Sequence, residues 1–399
     1  MKHNWEYKQL GEIGVILTGS TPSTSVKEYY DQSDYMFVKP GDIEESGITY
    51  LKASETYISE LAFNTASRKL PKHSVLVTCI GTIGKVGILQ QEATCNQQIN
   101  AIIPAADNIY YKYLAYAISS IKSFLISKKN GPVVPIINKT QFSKFKIPVP
   151  PMVVQEHIVA ELDKINETIE DCRELLCNLD ALAQSLFYDT FGDPIKNPKK
   201  WPIKQLKALS SLITNGTTPK GGQAVYVDSG ITFFRSQNVW RNRLVMDDVA
   251  YLDEATNATM RGSMLHHNDI LITKTGRINT ENSSLGRSAL FTGEDNTANI
   301  NGHVYLVRLE RTINPRFVLA ILLTDSYRDL IRRVCVGAID KRQLNLSHIE
   351  QFPIILPPLS LQEQFAARIE QIEVQKKAVE QTIAELQTLL DSRMDYWFN

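Results

Sequence analysis

At 399 residues, 43% of them hydrophobic, the chain has room for two folded domains with helical extensions. Basic and acidic side chains balance at 43 each, and no apolar run nears the ~18 residues of a membrane span. Met1-Lys2-His3-Asn4 leads into no signal-type apolar core, and five cysteines lack ligand spacing, so a reduced, cytoplasmic protein without zinc or disulfides is expected.

Residues 1–151 read as short β-type runs, at Tyr35–Val38, Val75–Cys79, Val86–Leu89 and Ile99–Ile103, then one helix from Ile109 to about Ile126. That mixture predicts a mixed α/β lobe with a curled sheet. Pro150-Pro151 introduces a long helix over 152–192. Ile158, Leu162, Ile165, Ile169, Cys172, Leu176, Leu179, Ala183 and Leu186 recur at steps of four and three, the spacing of a coiled-coil seam. Gly192 suits a C-terminal cap and Pro194 blocks continuation. Ile195–Lys200 is expected as a short extended linker. A second lobe, 193–358, carries a helix from Pro315 to about Val334. A second long helix, 359–399, has its seam on Phe365, Ile369, Ile372, Val379, Ile383 and Leu386. Lys376 and Arg393 interrupt that seam and are expected to snorkel to its edge rather than fix the register.

The second half repeats the first. Gln155-Glu156-His157-Ile158 and Gln362-Glu363-Gln364-Phe365 lie 207 positions apart, each behind a Pro-Pro pair. Trp5-x-x-Lys8-Gln9-Leu10 answers Trp201-x-x-Lys204-Gln205-Leu206, and Thr18-Gly19-Ser20 answers Asn215-Gly216-Thr217. Val75–Thr78 with Gly81 answers Ile270–Thr273 with Gly276. Gly84-Lys85 answers Gly286-Arg287 across a seven-residue insertion. The shared skeleton and differing side chains predict one fold carrying two surfaces. Rods of a pseudo-two-fold repeat can pair only antiparallel, which would put the lobes at opposite ends of a stalk.

Charge is segregated. Residues 152–190 carry nine acidic and two basic side chains, and 359–397 seven and four, so the rods hold −10 and the remainder +10. Basic lobes suit a polyanion.

No reaction centre emerges, and neither a catalytic residue nor a metal is expected. The Pro-Pro pairs follow Val149 and Leu356 and precede Met152 and Leu359, so the tetrad of an amino-methyltransferase is missing. Gly81-Thr82-Ile83-Gly84-Lys85-Val86 lacks the first glycine and the Ser/Thr of a phosphate loop. His266-His267 reads as exposed loop rather than as metal ligands.

The rod openings, the Phe191-Gly192-Asp193-Pro194 to Trp201 junction, the Gly-Thr-x-Gly-Lys run at 81–85 and the duplication together resemble one family over the whole chain. It is the specificity subunit of type I restriction–modification systems. The resemblance implies an α+β molecule: target-recognition domains at 1–151 and 193–358, separated by antiparallel helices at 152–192 and 359–399. Each domain would read one half of a split, asymmetric double-stranded DNA target, with helix length setting the unread gap. It implies two DNA adenine methyltransferase subunits and motor–nuclease subunits as partners. S-adenosylmethionine and ATP would belong to those partners, leaving this chain cofactor-free and no enzyme. Outside the seam, Leu175, Leu182, Ala366, Ala378 and Leu389 are the apolar positions expected to dock the methyltransferase.

Polar side chains in loops between strands are the candidates for base edges. In the first lobe these are Thr18, Ser20, Thr21, Lys39, Thr82, Lys85, Gln97, Gln98 and Asn100. In the second they are Asn215, Thr217, Arg235, Gln237, Asn238, Lys274, Arg277, Asn279, Arg287, Asn301 and His303. Lys128, Lys129, Arg332 and Arg333, near the ends of the lobe helices, suit phosphates. The rival reading is a coiled-coil adaptor joining two protein ligands without DNA recognition. An adaptor gains nothing from basic lobes, which favours the DNA reader.

Overall fold

The computed structural model describes residues 5–105, 108–127, 136–278, 280, 282–338 and 341–398. The chain forms two compact units, Met1–Glu174 with Glu380–Asn399 and Leu175–Val379. Each unit therefore holds one lobe and part of both long helices, Met152–Phe191 and Leu359–Phe398.

In the first unit a five-stranded sheet runs Gly14–Thr18, Ile99–Pro104, Val75–Thr78, Val86–Leu89, Ile48–Leu51, antiparallel except for the last pair. Two of the three inner strands, Val75–Thr78 and Val86–Leu89, are buried at every position, because both faces are covered. Val75, Val77 and Ile88 pack under helix Tyr111–Ser120. The alternate residues Leu76 and Leu89 meet Met36 and Val38 of a three-stranded sheet. The second unit repeats this with sheet Ser210–Asn215, Val304–Leu309, Ile270–Thr273, Ser288–Leu290 and helix Pro315–Leu323.

The repeat extends to single hydrogen bonds. Leu10 N–H donates to the Phe145 carbonyl as Leu206 N–H does to that of Phe352, both at 2.8 Å. Gln155 and Gln362, fully or nearly fully buried, donate to the Pro150 and Pro357 carbonyls at 2.8 Å and accept from the Tyr110 and Asn314 N–H groups. The Pro-Pro…Gln signature is thus a staple between the start of each long helix and the lobe helix beside it.

Two local expectations are corrected. Each single lobe helix is two: Tyr111–Ser120 with Lys122–Ser127, and Pro315–Leu323 with Asp325–Val334. In the second unit the break is Thr324, extended at ψ 149° with its hydroxyl spent on the Ile321 carbonyl. The 195–200 segment is a compact double turn rather than an extended linker. Asn197 bonds Trp201 in both directions, and the Trp201 indole N–H reaches the Phe191 carbonyl at 3.0 Å. Gly192, at φ +78°, caps the helix just before it.

Within each unit the long helices run antiparallel. In the first, Ile158, Leu162, Ile165 and Ile169 are buried while Ile383 and Leu386 are half-buried, and Phe398 meets Tyr113 of the lobe helix at 5.5 Å. Phe187 and Phe191 in the second close on Phe317 and Phe365. Phe365, Ile372 and Leu179 are buried, and Ile369, Leu176 and Val379 half-buried. Lys376 and Arg393 do not snorkel to water: Lys376 pairs with Asp180, and Arg393 forks onto Glu161 of the opposing helix. Both contacts depend on register, which corrects the snorkelling expectation. Among the described residues no helix is long and apolar enough to cross a membrane.

Candidate nucleic-acid interface

Gly19 and Gly216 build the first part of the surface. A Cβ on Gly19 would lie 2.2 Å from the Cys95 and Asn96 carbonyl oxygens, and one on Gly216 2.0 Å from that of Ile300. Only glycine permits so close an approach. In the first unit it brings residues 18–21 onto the 96–100 turn. Thr18 donates to Asn100 at 2.7 Å, Thr21 to Gln97, and Asn96 to Gln98 at 2.9 Å. Thr21, Thr82 and Gln97 are exposed, and Ser20 and Gln98 half-buried. Asn100 is 2% exposed, inside strand Ile99–Pro104 with its amide on Thr18, so the expectation of an exposed loop residue is corrected there. Lys39 donates to the Thr56 hydroxyl at 2.7 Å, and Lys85 to the Pro40 and Ile43 carbonyls at 3.2 and 2.8 Å. Both ammonium groups tie loops together. Arg68, which sequence inspection passes over, donates to the Thr18 carbonyl at 2.8 Å and adds an exposed cation to this cluster.

In the second unit Asn215 donates to the Gly216 carbonyl at 2.8 Å, and Asn301 accepts from the His303 backbone N–H at 3.0 Å. Thr217 and His303 are exposed. Arg235, Gln237 and Asn238 converge on the 245–248 turn: Arg235 pairs with Asp248 at 3.1 Å and Gln237 donates to the same carboxylate at 3.0 Å. Those bonds, Gln237 first, hold the Asp248 carboxyl below the usual range. Asn238 is fully buried and donates to the Val245 carbonyl at 3.1 Å, a second correction.

Arg287 is the third. It is 9% exposed, stacked 3.8 Å from the Trp240 ring centre, and bonded to the Ser283 and Asn282 carbonyls. Beside it a cleft of about 340 Å³ is lined by Thr275, Gly276, Arg277, Thr280, Asn282, Ser283, Ser284, Arg287 and Lys341. Lys341 arrives from a distant hairpin, because strand Thr275–Gly276 pairs with strand Lys341–Gln343. Lys274 is half-buried, 5.8 Å from the Tyr305 ring centre. Arg332 pairs with Asp329 at 3.0 Å, and Arg333 is exposed. Lys128, Lys129 and Asn279 lie outside the described residues.

On the long helices Leu175, Leu182 and Leu389 stand 44%, 53% and 45% exposed. Ala378 is also exposed, whereas Ala366 is 6% exposed and belongs to the packed side, correcting its assignment to an outer apolar face.

Known proteins agree with this architecture. The family described as type I restriction modification DNA specificity domain matches residues 2–175. The specificity subunit of the type I restriction enzyme MjaIX of Methanocaldococcus jannaschii is 23% identical over 386 residues, covering 92% of this chain and 86% of that one. That of EcoR124I/EcoR124II of Escherichia coli is 36% identical over 168 residues, 40% of this chain and 41% of its own. Among solved structures, the type I restriction–modification S subunit from M. genitalium shares the fold at TM-score 0.58 and 12% identity, over 99% of this chain and 96% of that one. The duplicated lobes, the paired long helices and these likenesses converge: residues 2–175 match the type I restriction modification DNA specificity domain, and the chain over nearly its whole length is similar to the specificity subunits of type I restriction–modification systems.

Proposed function

We propose that the chain reads a split, asymmetric double-stranded DNA target, one half per unit, and is the non-catalytic scaffold on which methyltransferase subunits assemble. The carrying observation is that one fold is built twice on the same backbone devices, Gly19 and Gly216 among them, yet presents different side chains. The first unit offers Thr21, Gln97 and Arg68; the second offers Thr217 and His303. Residues 1–151 carry a formal charge of +4 and 193–358 one of +6, which suits a polyanion on both. The exposed leucines on acidic helices supply an apolar face for methyltransferase subunits, with motor–nuclease subunits joining that assembly. S-adenosylmethionine and ATP then act on those partners.

Exchange of residues 1–151 for the lobe of another such subunit tests the reading. Mapping methylated adenines in DNA exposed to the assembled complex should show one half of the target changed and the other intact. A change in both halves would refute it.

A further inference from the structure

We infer that the polar joint between each lobe and its own stretch of long helix is an angular brace. Asp163 and Glu373 are its positioning residues, and they narrow the range of gaps that the protein accepts between half-sites. The inference rests on the DNA-reading function above. To helix length it adds a second determinant of spacing, the tilt of a lobe on its helix.

One attachment point lets a lobe pivot, and a second one displaced along the helix removes that freedom. In the first unit the buried Gln155 staple is the first point. Asp163 is the second, eight residues or ~12 Å further along the helix. Its carboxylate accepts from Lys112 at 2.5 Å and Tyr116 at 2.7 Å, both on the lobe helix. It also accepts from Tyr50 at 3.4 Å, on the edge strand of the five-stranded sheet. Asn166, one turn later, donates to the Tyr116 hydroxyl at 3.0 Å. The Lys112 and Asp163 side chains are 25% and 18% exposed, so solvent screens the pair only in part.

The second unit braces the same three elements with other residues. Gln362 is the staple. Arg316 of the lobe helix pairs at 3.7 Å with Glu370, the counterpart of Asp163 by the 207-residue repeat, and also with Glu373. Asn242 donates to Glu373 at 3.3 Å from the hairpin beside strand Ser288–Leu290. Tyr50 occupies the same place in the first unit, beside strand Val86–Leu89. The side chains differ, yet sheet edge, lobe helix and long helix are tied together in both units. Cohesion alone is served by apolar contact, which has no direction, whereas hydrogen bonds and ion pairs fix an angle. Small angles matter here. A lobe of about 150 residues has a radius of gyration of ~15 Å, so its far surface lies ~30 Å from the joint and a swing of ~6° carries it across one ~3.4 Å base-pair rise.

The test uses the full chain assembled with its methyltransferase subunits and duplexes in which the two mapped half-sites stand at the native gap or one base pair nearer or farther. The readout is the methylation rate at each altered gap divided by that at the native gap. Asp163→Asn, and Glu373→Gln in the second unit, should raise this ratio on the order of 3- to 10-fold while discrimination within each half-site stays intact. Lys112→Met should do the same, and Lys112→Arg, which installs the residue the second unit uses, should keep the wild-type ratio. Should Asp163→Asn fail to assemble, Tyr50→Phe removes only one hydroxyl of the brace and should raise the ratio by a smaller factor. An unchanged ratio in the assembled variants overturns the brace. So does an equal loss of methylation at every gap, which marks a purely structural role, or a loss of discrimination inside a half-site. A wild type already indifferent to gap overturns the brace and leaves DNA reading standing. Absence of any sequence-dependent methylation by the wild-type complex overturns both the brace and the proposed function.

Discussion

Glu161 shows how a single carboxylate ties the long helices together. It accepts both arms of the Arg393 fork and the Trp397 indole N–H at 2.8 Å. The Arg393 hydrogen bond, then that of Trp397, holds its carboxyl below the usual value of 4.5. A group with a lowered folded pKa stabilises fully above its unfolded value, and that stability fades as pH falls through the folded one. Glu161→Gln should therefore cost about 0.5–1 kcal/mol at neutral pH, a figure discounted for solvent screening. The gap between its thermal midpoint and the wild type's should close below about pH 4; a pH-independent gap would mean the charge contributes nothing. Asp163 plays a related part toward the first lobe, accepting from Lys112 and from Tyr116 at 2.7 Å. The Tyr50 hydroxyl beside it is pushed up to about 12, by burial first and by Asp163 next. In the second unit Arg316, the repeat partner of Lys112, pairs with Glu370 at 3.7 Å and with Glu373. The same joint between lobe helix and long helix is thus made with different residues.

The long helices are held by their ends. Phe187 and Phe191 sit in an aromatic cluster with Phe317 and Phe365, while Cys172, Leu176, Val379 and Ile383 are only half-buried. The heptad pattern reveals that a seam exists but cannot show that the lobe cores claim its ends, because that burial comes from residues more than a hundred positions away. Phe191→Ala should cost about 3–5 kcal/mol, whereas Leu182→Ala, at a position 53% exposed, should stay within about 0.5 kcal/mol. Denaturant unfolding of the full chain checks both, and similar costs would contradict the observed burial. Elsewhere local signals served well: Gly192 is the cap, and the strands at 35–38, 75–78 and 86–89 stand where the apolar runs are. The break within each lobe helix leaves no local signal, because the apolar periodicity runs through Ile121 and Thr324 and neither residue is a strong breaker in isolation.

At the scale of the whole molecule, each long helix is an unbroken run of 40 residues, ~60 Å at 1.5 Å per residue. If helix length sets the unread gap, one heptad added to both in register lengthens each by ~10 Å, about three base pairs. Methylated adenines should then move apart by that interval while both half-sites stay the same; unchanged spacing would end the ruler idea. Duplication, the two seams, the α+β lobes and the segregation of charge were all decided by the sequence itself, since each is a periodicity, a spacing or a sum over side chains. The tertiary structure alone decided which polar side chains face outward. Asn100, Asn238 and Arg287 look like loop polars in sequence yet satisfy buried partners, while Lys341 meets Arg277 through a strand pairing more than sixty residues long in sequence. Hydrogen-bond partners that distant are set by sheet register, and register follows from packing the whole lobe rather than from any local run of residues.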